Sequence, residues 1–165
     1  MTKYIPRFVV IDVDGVMTTG TFHYSEKGKI IKVFGAHDND GLKIIKKFFK
    51  IFFVTADKKG FKISKKRIFY DMGFELKLIT EKNRYNFIEK KFGFKNTIYM
   101  GDGIYDASIL KSSNLGICPA NARIEAKKNC NHIVKSKSGE GAVLDACIYI
   151  MKKFYNKKFQ EILKA

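Results

Sequence analysis

Asp12 and Asp14 stand two residues apart in the segment Asp12-Val13-Asp14-Gly15-Val16, directly after a short apolar run. Carboxylates that close repel each other unless something positive lies between them. Strand alternation would send the two side chains to opposite faces, but the chain leaves the strand here and Gly15 permits a tight turn, so both can face one crevice. The pair suits a bound cation. An isolated pair of this kind is equally well explained as turn or cap residues, so the argument rests on what else the chain offers in order. Thr55 follows a second apolar run, Lys82 opens a helical segment, and Gly101-Asp102-Gly103 with Asp106 follows a third run.

The elements that must position these residues are legible as alternating runs. Residues 8–11 are continuous, β-branched and apolar, the pattern of a strand buried on both faces of a parallel sheet. Residues 51–54 and 97–100 repeat it, and 115–117 and 132–134 are shorter versions, giving about five parallel strands. Apolar residues at helical spacing lie between them. Leu42, Ile44, Ile45, Phe48 and Phe49 mark one helix; residues 59–72 form a second, closed by Gly73; Tyr85, Phe87, Ile88 and Phe92 mark a third, closed by Gly93. Further helices are predicted from Asp106, over 120–128, and over 141–163, the last with a lysine-rich solvated face in the tail 152–165. The expected fold class is α/β: a doubly wound parallel sheet flanked by helices, with its ligand site beyond the carboxyl ends of the strands. Residues 20–34 break the rhythm with loose alternation around Ser25-Glu26-Lys27-Gly28, which reads as an inserted β-hairpin.

Composition sets the outer limits. The chain has 165 residues, 45% of them apolar, enough for one buried core, and no repeat or linker composition divides it, so residues 1–165 are read as one domain. The net charge of +16 surrounds the fold with a positive field that favours anionic ligands, although a lysine-rich vocabulary alone produces the same number. Three cysteines, Cys118, Cys130 and Cys147, have no metal-ligand spacing and no even pairing, which fits a reducing cytoplasm. No apolar run approaches the ~20 residues of a spanning helix, and no targeting segment is read, so no membrane partner is expected. The aromatic residues follow helix and strand spacing and form no basic-aromatic track, so nucleic acid is not the expected partner. His23, His37 and His132 have no companion at ligand spacing.

The ordered series Asp-x-Asp-Gly-Val, then Thr, then Lys, then Gly-Asp-x-x-x-Asp, carried by Asp12, Asp14, Thr55, Lys82, Asp102 and Asp106, resembles the haloacid dehalogenase (HAD) superfamily of phosphohydrolases. Beyond that core, Lys32-Val33-Phe34, Asp38-x-x-Gly41-Leu42-Lys43 and Ser138-Gly139-Glu140-Gly141-Ala142 resemble the subfamily of 3-deoxy-manno-octulosonate 8-phosphate phosphatases and the related nonulosonate phosphatases.

The resemblance implies roles that physical chemistry supports. Asp12 would be the nucleophile that forms an aspartyl-phosphate, splitting one hard hydrolysis into two easier steps. Asp14 would be the acid and base, protonating the leaving alcohol and then deprotonating water. A phosphomonoester and a carboxylate repel each other, so Mg²⁺ is the implied cofactor, held by Asp12, Asp102 and the backbone carbonyl of Asp14. Thr55 and Lys82 would bind the phosphoryl oxygens, Asp106 would orient Lys82 or a metal-bound water, and Asp38, beside His37, would contact substrate together with Asp14.

Spacing and departures from the family pattern narrow the reading. Asp14 and Thr55 are separated by 41 positions and Thr55 and Lys82 by 27, too few for an inserted cap domain. A dry site favours phosphoryl chemistry, so the hairpin of another subunit is expected to cover the pocket in a homo-oligomer, a tetramer by resemblance. Thr55-Ala56-Asp57 stands where Thr-Gly-Arg is usual, Asp102-Gly103 where two acids are common, and Leu144 where Arg is frequent. The first and third remove positive charge that could meet a substrate carboxylate. The expected function is a Mg²⁺-dependent phosphomonoesterase acting on a small phosphorylated sugar acid. Alternatives are the same fold acting on a nucleotide or polynucleotide end, and a basic binding module with a vestigial site.

Overall fold

The computed structural model describes residues 4–156 and residue 161. In chain order the elements are β1 (Phe8–Asp12), β2 (Thr18–Ser25), β3 (Gly28–Phe34), α1 (His37–Ile45), β4 (Lys50–Thr55), α2 (Phe61–Lys65), β5 (Glu75–Leu78), α3 (Glu81–Phe92), β6 (Thr97–Met100), α4 (Ala107–Ser112), β7 (Leu115–Cys118), α5 (Ile124–Asn129), β8 (His132–Ile133) and α6 (Ala142–Tyr155). A more widely wound segment, Lys66–Asp71, continues α2 as far as the turn at Gly73. The part of the expected last helix and lysine-rich tail beyond residue 156, apart from residue 161, lies outside the described residues.

Six strands form one parallel sheet in the order β5-β4-β1-β6-β7-β8, and β2 with β3 forms a separate antiparallel hairpin. Among the described residues there is no cap domain, as the short motif spacing requires. The sheet has one strand more than the five expected. The additional strand, β5, is an edge: Glu75 and Lys77 alternate with Leu76 and Leu78, and three of its four residues are exposed. It has none of the continuous apolar character that marks the inner strands, because only one side of it is covered.

Alternation along the inner strands builds two cores. Val9 and Ile11 of β1, Phe53 of β4 and Ile98 and Met100 of β6 face a layer containing Leu42 and Ile45 of α1 and Ile150 and Met151 of α6. Val10, Phe52, Val54 and Tyr99 face the opposite layer, where Ile88 and Phe92 of α3 and Ile109 and Leu110 of α4 cover them. Each of these residues is at most 7% exposed, and burying an aliphatic or aromatic side chain to this degree contributes about 1.5–3 kcal/mol. No described helix is long and apolar enough to cross a membrane.

The sheet's centre determines where the chemistry sits. From β1 the chain passes to β4 on one side and later to β6 on the other, so the crevice at the carboxyl end of β1 is a topological switch point. Register does the rest. Asp12 lies opposite Val54 and Ile11 opposite Met100, so the residues that follow each strand, Thr55 at the end of β4 and Asp102 just past β6, come out at the same sheet edge as Asp12.

Candidate active site

β1 ends in Asp12, which is 6% exposed, and the chain then turns sharply through Val13–Met17 with Gly15 at φ 90°. Only glycine enters that backbone region without strain. A second constraint acts on the same atom: a Cβ at Gly15 would stand 2.2 Å from Asp102 Oδ2. The turn therefore presses the first motif against the loop that follows β6, bringing Gly15 and Asp102, 87 positions apart in the chain, into contact.

Oxygens of Asp12, Asp102 and Asp106 lie within 4.8 Å of one another. Burial, with Arg84 opposing and Asp106, Asp102 and Asp14 adding repulsion, pushes the Asp12 carboxyl well above its usual range. Asp102 is pushed up to about 7, by burial first and by the Asp106 charge next. Three hard oxygen donors crowded in this way fit a divalent cation, which would relieve the repulsion. The three are not equivalent. Asp106 Oδ1 accepts from Tyr99 Oη at 2.6 Å and Arg84 Nη1 at 2.9 Å, and its Oδ2 accepts the backbone N–H of Gly103 at 2.9 Å and of Asp102 at 3.2 Å. Both its oxygens are taken by protein donors, whereas Asp12 has one oxygen beside Arg84, and Asp12 and Asp102 both line the opening.

That opening is a cavity of about 340 Å³ lined by both carboxylates together with Asp14, Asp57, Arg84 and Phe22 among others. Asp14 faces it from the turn, with each oxygen held: Thr55 Oγ1 donates to Oδ2 at 2.8 Å, and Lys32 Nζ lies 2.6 Å from Oδ1. The Thr55 hydroxyl in turn accepts the N–H of Asp57 at 3.0 Å. Thr55, expected to contact a phosphoryl oxygen, is fully buried with its hydroxyl committed to Asp14.

Lys82 is not at the cavity. It is exposed on α3, and two residues further on is Arg84, 4% exposed, with Nη1 3.1 Å from Asp12 Oδ1 and 2.9 Å from Asp106 Oδ1. This placement has a geometric cause. Two residues rotate a side chain about 200° around a helix, so if Arg84 points inward Lys82 points to solvent. Arg84 shares the inward stripe of α3 with Ile88 and Phe92, at spacings of four, and that stripe was the signal available in the sequence. Burial disfavours the guanidinium's charge, but Asp12, Tyr99 and Asp106 outweigh it and hold Arg84 protonated more firmly than usual.

Asp38, expected among substrate contacts, lies elsewhere. It is fully buried at the start of α1, and its Oδ1 accepts the backbone N–H groups of Val143 and Leu144 at 2.9 and 3.3 Å. A carboxylate there satisfies orphan donors and complements the dipole of α6, so Asp38 joins two helices, and it does not line the cavity. His37 does not line the cavity either.

The profile of the haloacid dehalogenase-like hydrolases matches residues 18–146. The chain belongs to this family. Its HAD relatives include the 3-deoxy-D-manno-octulosonate 8-phosphate phosphatase of Haemophilus influenzae, 30% identical over 141 residues covering 82% of this chain and 77% of the relative. The enzyme of the same name from Escherichia coli K12 is 22% identical over 147 residues, covering 86% and 77%. Among solved structures, the Moraxella catarrhalis phosphatase of that name, in complex with magnesium ion, phosphate ion and a KDO molecule, has a TM-score of 0.81 at 22% identity, covering 96% of this chain and 92% of that one. The cobalt-bound Haemophilus influenzae structure has a TM-score of 0.79 at 23% identity, with 97% of each chain covered. The chain is thus a homologue of HAD-family phosphatases, and its carboxylate cluster sits at the switch point of its own parallel sheet.

Proposed function

We propose that the chain, acting as a single hydrolase domain, is a Mg²⁺-dependent phosphomonoesterase that works through an aspartyl-phosphate. The observation that carries this is the convergence of Asp12 and Asp102 at one cavity whose wall also presents Asp14 and Arg84. Asp12 and Asp102 would hold the ion, with the Asp14 backbone carbonyl as the family's further ligand. Bound there, Mg²⁺ supplies charge neutralisation between an anionic phosphate and anionic carboxylates.

Every step falls to a residue already in place. An Asp12 oxygen attacks phosphorus while the bond to the substrate alcohol breaks, and Asp14 delivers its proton to the departing oxygen. Asp14 then takes a proton from water as that water attacks the aspartyl-phosphate, releasing inorganic phosphate and restoring Asp12. Arg84 stabilises the charge spread over the transferring oxygens, the task expected of Lys82. Thr55 holds Asp14 in position, and Asp106 orients Arg84 through Oδ1 and the loop at Asp102 through Oδ2.

The substrate we infer is a small phosphorylated sugar acid of the 3-deoxy-D-manno-octulosonate 8-phosphate or nonulosonate 9-phosphate type, as in lipopolysaccharide or related sugar-acid synthesis. The Haemophilus influenzae relative's identity supports it, and the cavity volume suits a monosaccharide. Phe22 and Lys29 of the hairpin form one wall, with Lys29 Nζ 3.5 Å above the Phe22 ring. Ile31 and Val33 of β3, two positions apart and so on one face, are each more than 40% exposed. An apolar surface on a two-stranded arm supports a homo-oligomer, a tetramer by resemblance, in which hairpins shield neighbouring cavities. Three free thiols suit a reducing cytoplasm.

Hydrolysis of para-nitrophenyl phosphate with and without Mg²⁺, in the wild type and in Asp12→Asn, tests the reaction. Activity should require both the metal and Asp12; activity indifferent to either would refute the reading. A panel of phosphorylated sugar acids, nucleotides and phosphorylated DNA ends then ranks the substrates by kcat/KM.

A further inference from the structure

The strand β3 is inside out. Ile30, Ile31 and Val33 face solvent, whereas Lys32 between them is 6% exposed with a side chain only 1% exposed. Burying an ammonium while leaving three aliphatic side chains in water is unfavourable on both counts, so the arrangement persists only because Lys32 has a full set of partners. Its Nζ lies 2.6 Å from Asp14 Oδ1, 2.7 Å from Asp57 Oδ2 and 2.9 Å from Ser64 Oγ. Ser64 Oγ accepts a hydrogen bond from the ammonium, and the two carboxylates pair with it as ions. The partners come from three places: the turn after β1, the loop after β4, and α2.

We propose that Lys32 is a positioning residue for the acid–base carboxylate, and that the hairpin is thereby a working part of the catalytic centre of its own subunit. Lys32 does not line the cavity, so it reaches substrate only through Asp14. With Thr55 on Oδ2 and Lys32 on Oδ1, the Asp14 carboxylate is gripped at both oxygens. A carboxylate on a turn has free torsions, and general-acid catalysis requires its proton to lie along the line to the departing oxygen. Asp57 is the second carboxylate paired with Lys32. Its Oδ2 is shared with Lys29 Nζ at 2.6 Å, and its Oδ1 accepts the Gly60 N–H at 3.0 Å. Burial works against the Asp57 charge, but Lys29 and Lys32 prevail and hold the carboxyl down at about 2. Gly60 closes the arrangement, since a Cβ there would stand 2.2 Å from Asp57 Oδ2 and 2.5 Å from Lys32 Cε.

The proposal rests on the phosphatase reading, and leaving-group dependence separates the two. A poor leaving group such as the alkoxide of glycerol phosphate needs the proton from Asp14; the nitrophenolate of para-nitrophenyl phosphate does not. In Lys32→Gln, kcat/KM for glycerol phosphate should fall about 10²-fold, while that for para-nitrophenyl phosphate falls less than about fivefold. A scaffold role alone would lower both by the same factor, and an equal loss, or no loss, overturns the proposal. Ser64→Ala removes one anchor of Nζ by a small buried change remote from the cavity. It should steepen the dependence in the same direction by a smaller factor, and it decides the matter if Lys32→Gln fails to fold. Mg²⁺ and Asp12 dependence of the wild type reports on the underlying reaction separately: a chain that hydrolyses para-nitrophenyl phosphate only with metal and Asp12, yet shows parallel losses in both variants, keeps the phosphatase reading and loses this one.

Discussion

Among the described residues, Arg84 is the one cation placed against the proposed nucleophile, 3.1 Å from Asp12, and it is carried there by a helix face that otherwise buries Ile88 and Phe92. Lysine at position 82 satisfies the motif order in the sequence but not the geometry of the helix it opens. The distinction has a kinetic consequence. Losing a preorganised donor to the transferring oxygens costs about 10²–10³ in kcat, so Arg84→Met should lower kcat by that factor, whereas Lys82→Met should leave it within about twofold. Steady-state kinetics on para-nitrophenyl phosphate with saturating Mg²⁺ makes the comparison. The reverse ranking would return the phosphate-binding role to Lys82 and leave Arg84 as a partner of Asp106 alone.

The strands that carry the site were legible because burial on both faces leaves them continuously apolar, and each ends abruptly in a polar residue at the ligand edge. Asp12, Asp14, Thr55 and Asp102 stand at or just past those strand ends, and Asp12, Asp14 and Asp102 line the cavity. What escaped depends on contacts across the chain. β5 is an edge strand whose glutamate and lysine conceal it, Arg84 needed the phase of a helix rather than its start, and Asp38 looked like a ligand contact although its carboxylate serves the amino end of α6, 105 positions away. Lys32 was noticed as part of a motif, but nothing in a linear pattern tells that a strand will turn its isoleucines outward and its lysine inward. The hairpin's outward apolar face carries a prediction of its own. If it is the contact between subunits, Ile31→Asp introduces an unpaired charge into that contact and should reduce the mass measured by analytical ultracentrifugation to that of a smaller species, with circular dichroism unchanged. An unaltered mass would mean that the hairpin's exposed side chains are not what joins the subunits.

For the molecule as a whole, the carboxylates that converge at the sheet edge make folding and metal binding one problem. An aspartate in an unfolded chain titrates near ~3.9, but burial and the Asp106 charge move Asp102 up to about 7, and burial raises Asp12 as well. Between those limits the folded chain binds more protons than the unfolded one, so the metal-free protein loses stability as pH rises from about 4 to 7. Asp57 has the opposite sign. Its folded value of about 2 gives stability that is present above ~4 and lost as pH falls toward 2. Stability without metal should therefore peak where these two limbs meet, at about pH 4. Mg²⁺ competes with the protons on Asp12 and Asp102, so its stabilising effect should be small at about pH 5 and large at about pH 8, reaching about 2.7 kcal/mol where its concentration is 100 times Kd. Thermal melts in EDTA and in Mg²⁺ across this range, at constant ionic strength so that the field of the +16 chain is equally screened throughout, should diverge as pH rises. Asp102→Asn should flatten the EDTA curve and remove most of the divergence. Curves that run parallel with and without Mg²⁺ would mean that these carboxylates do not share an ion, because an ion bound to them must displace the protons that burial and their neighbours hold there.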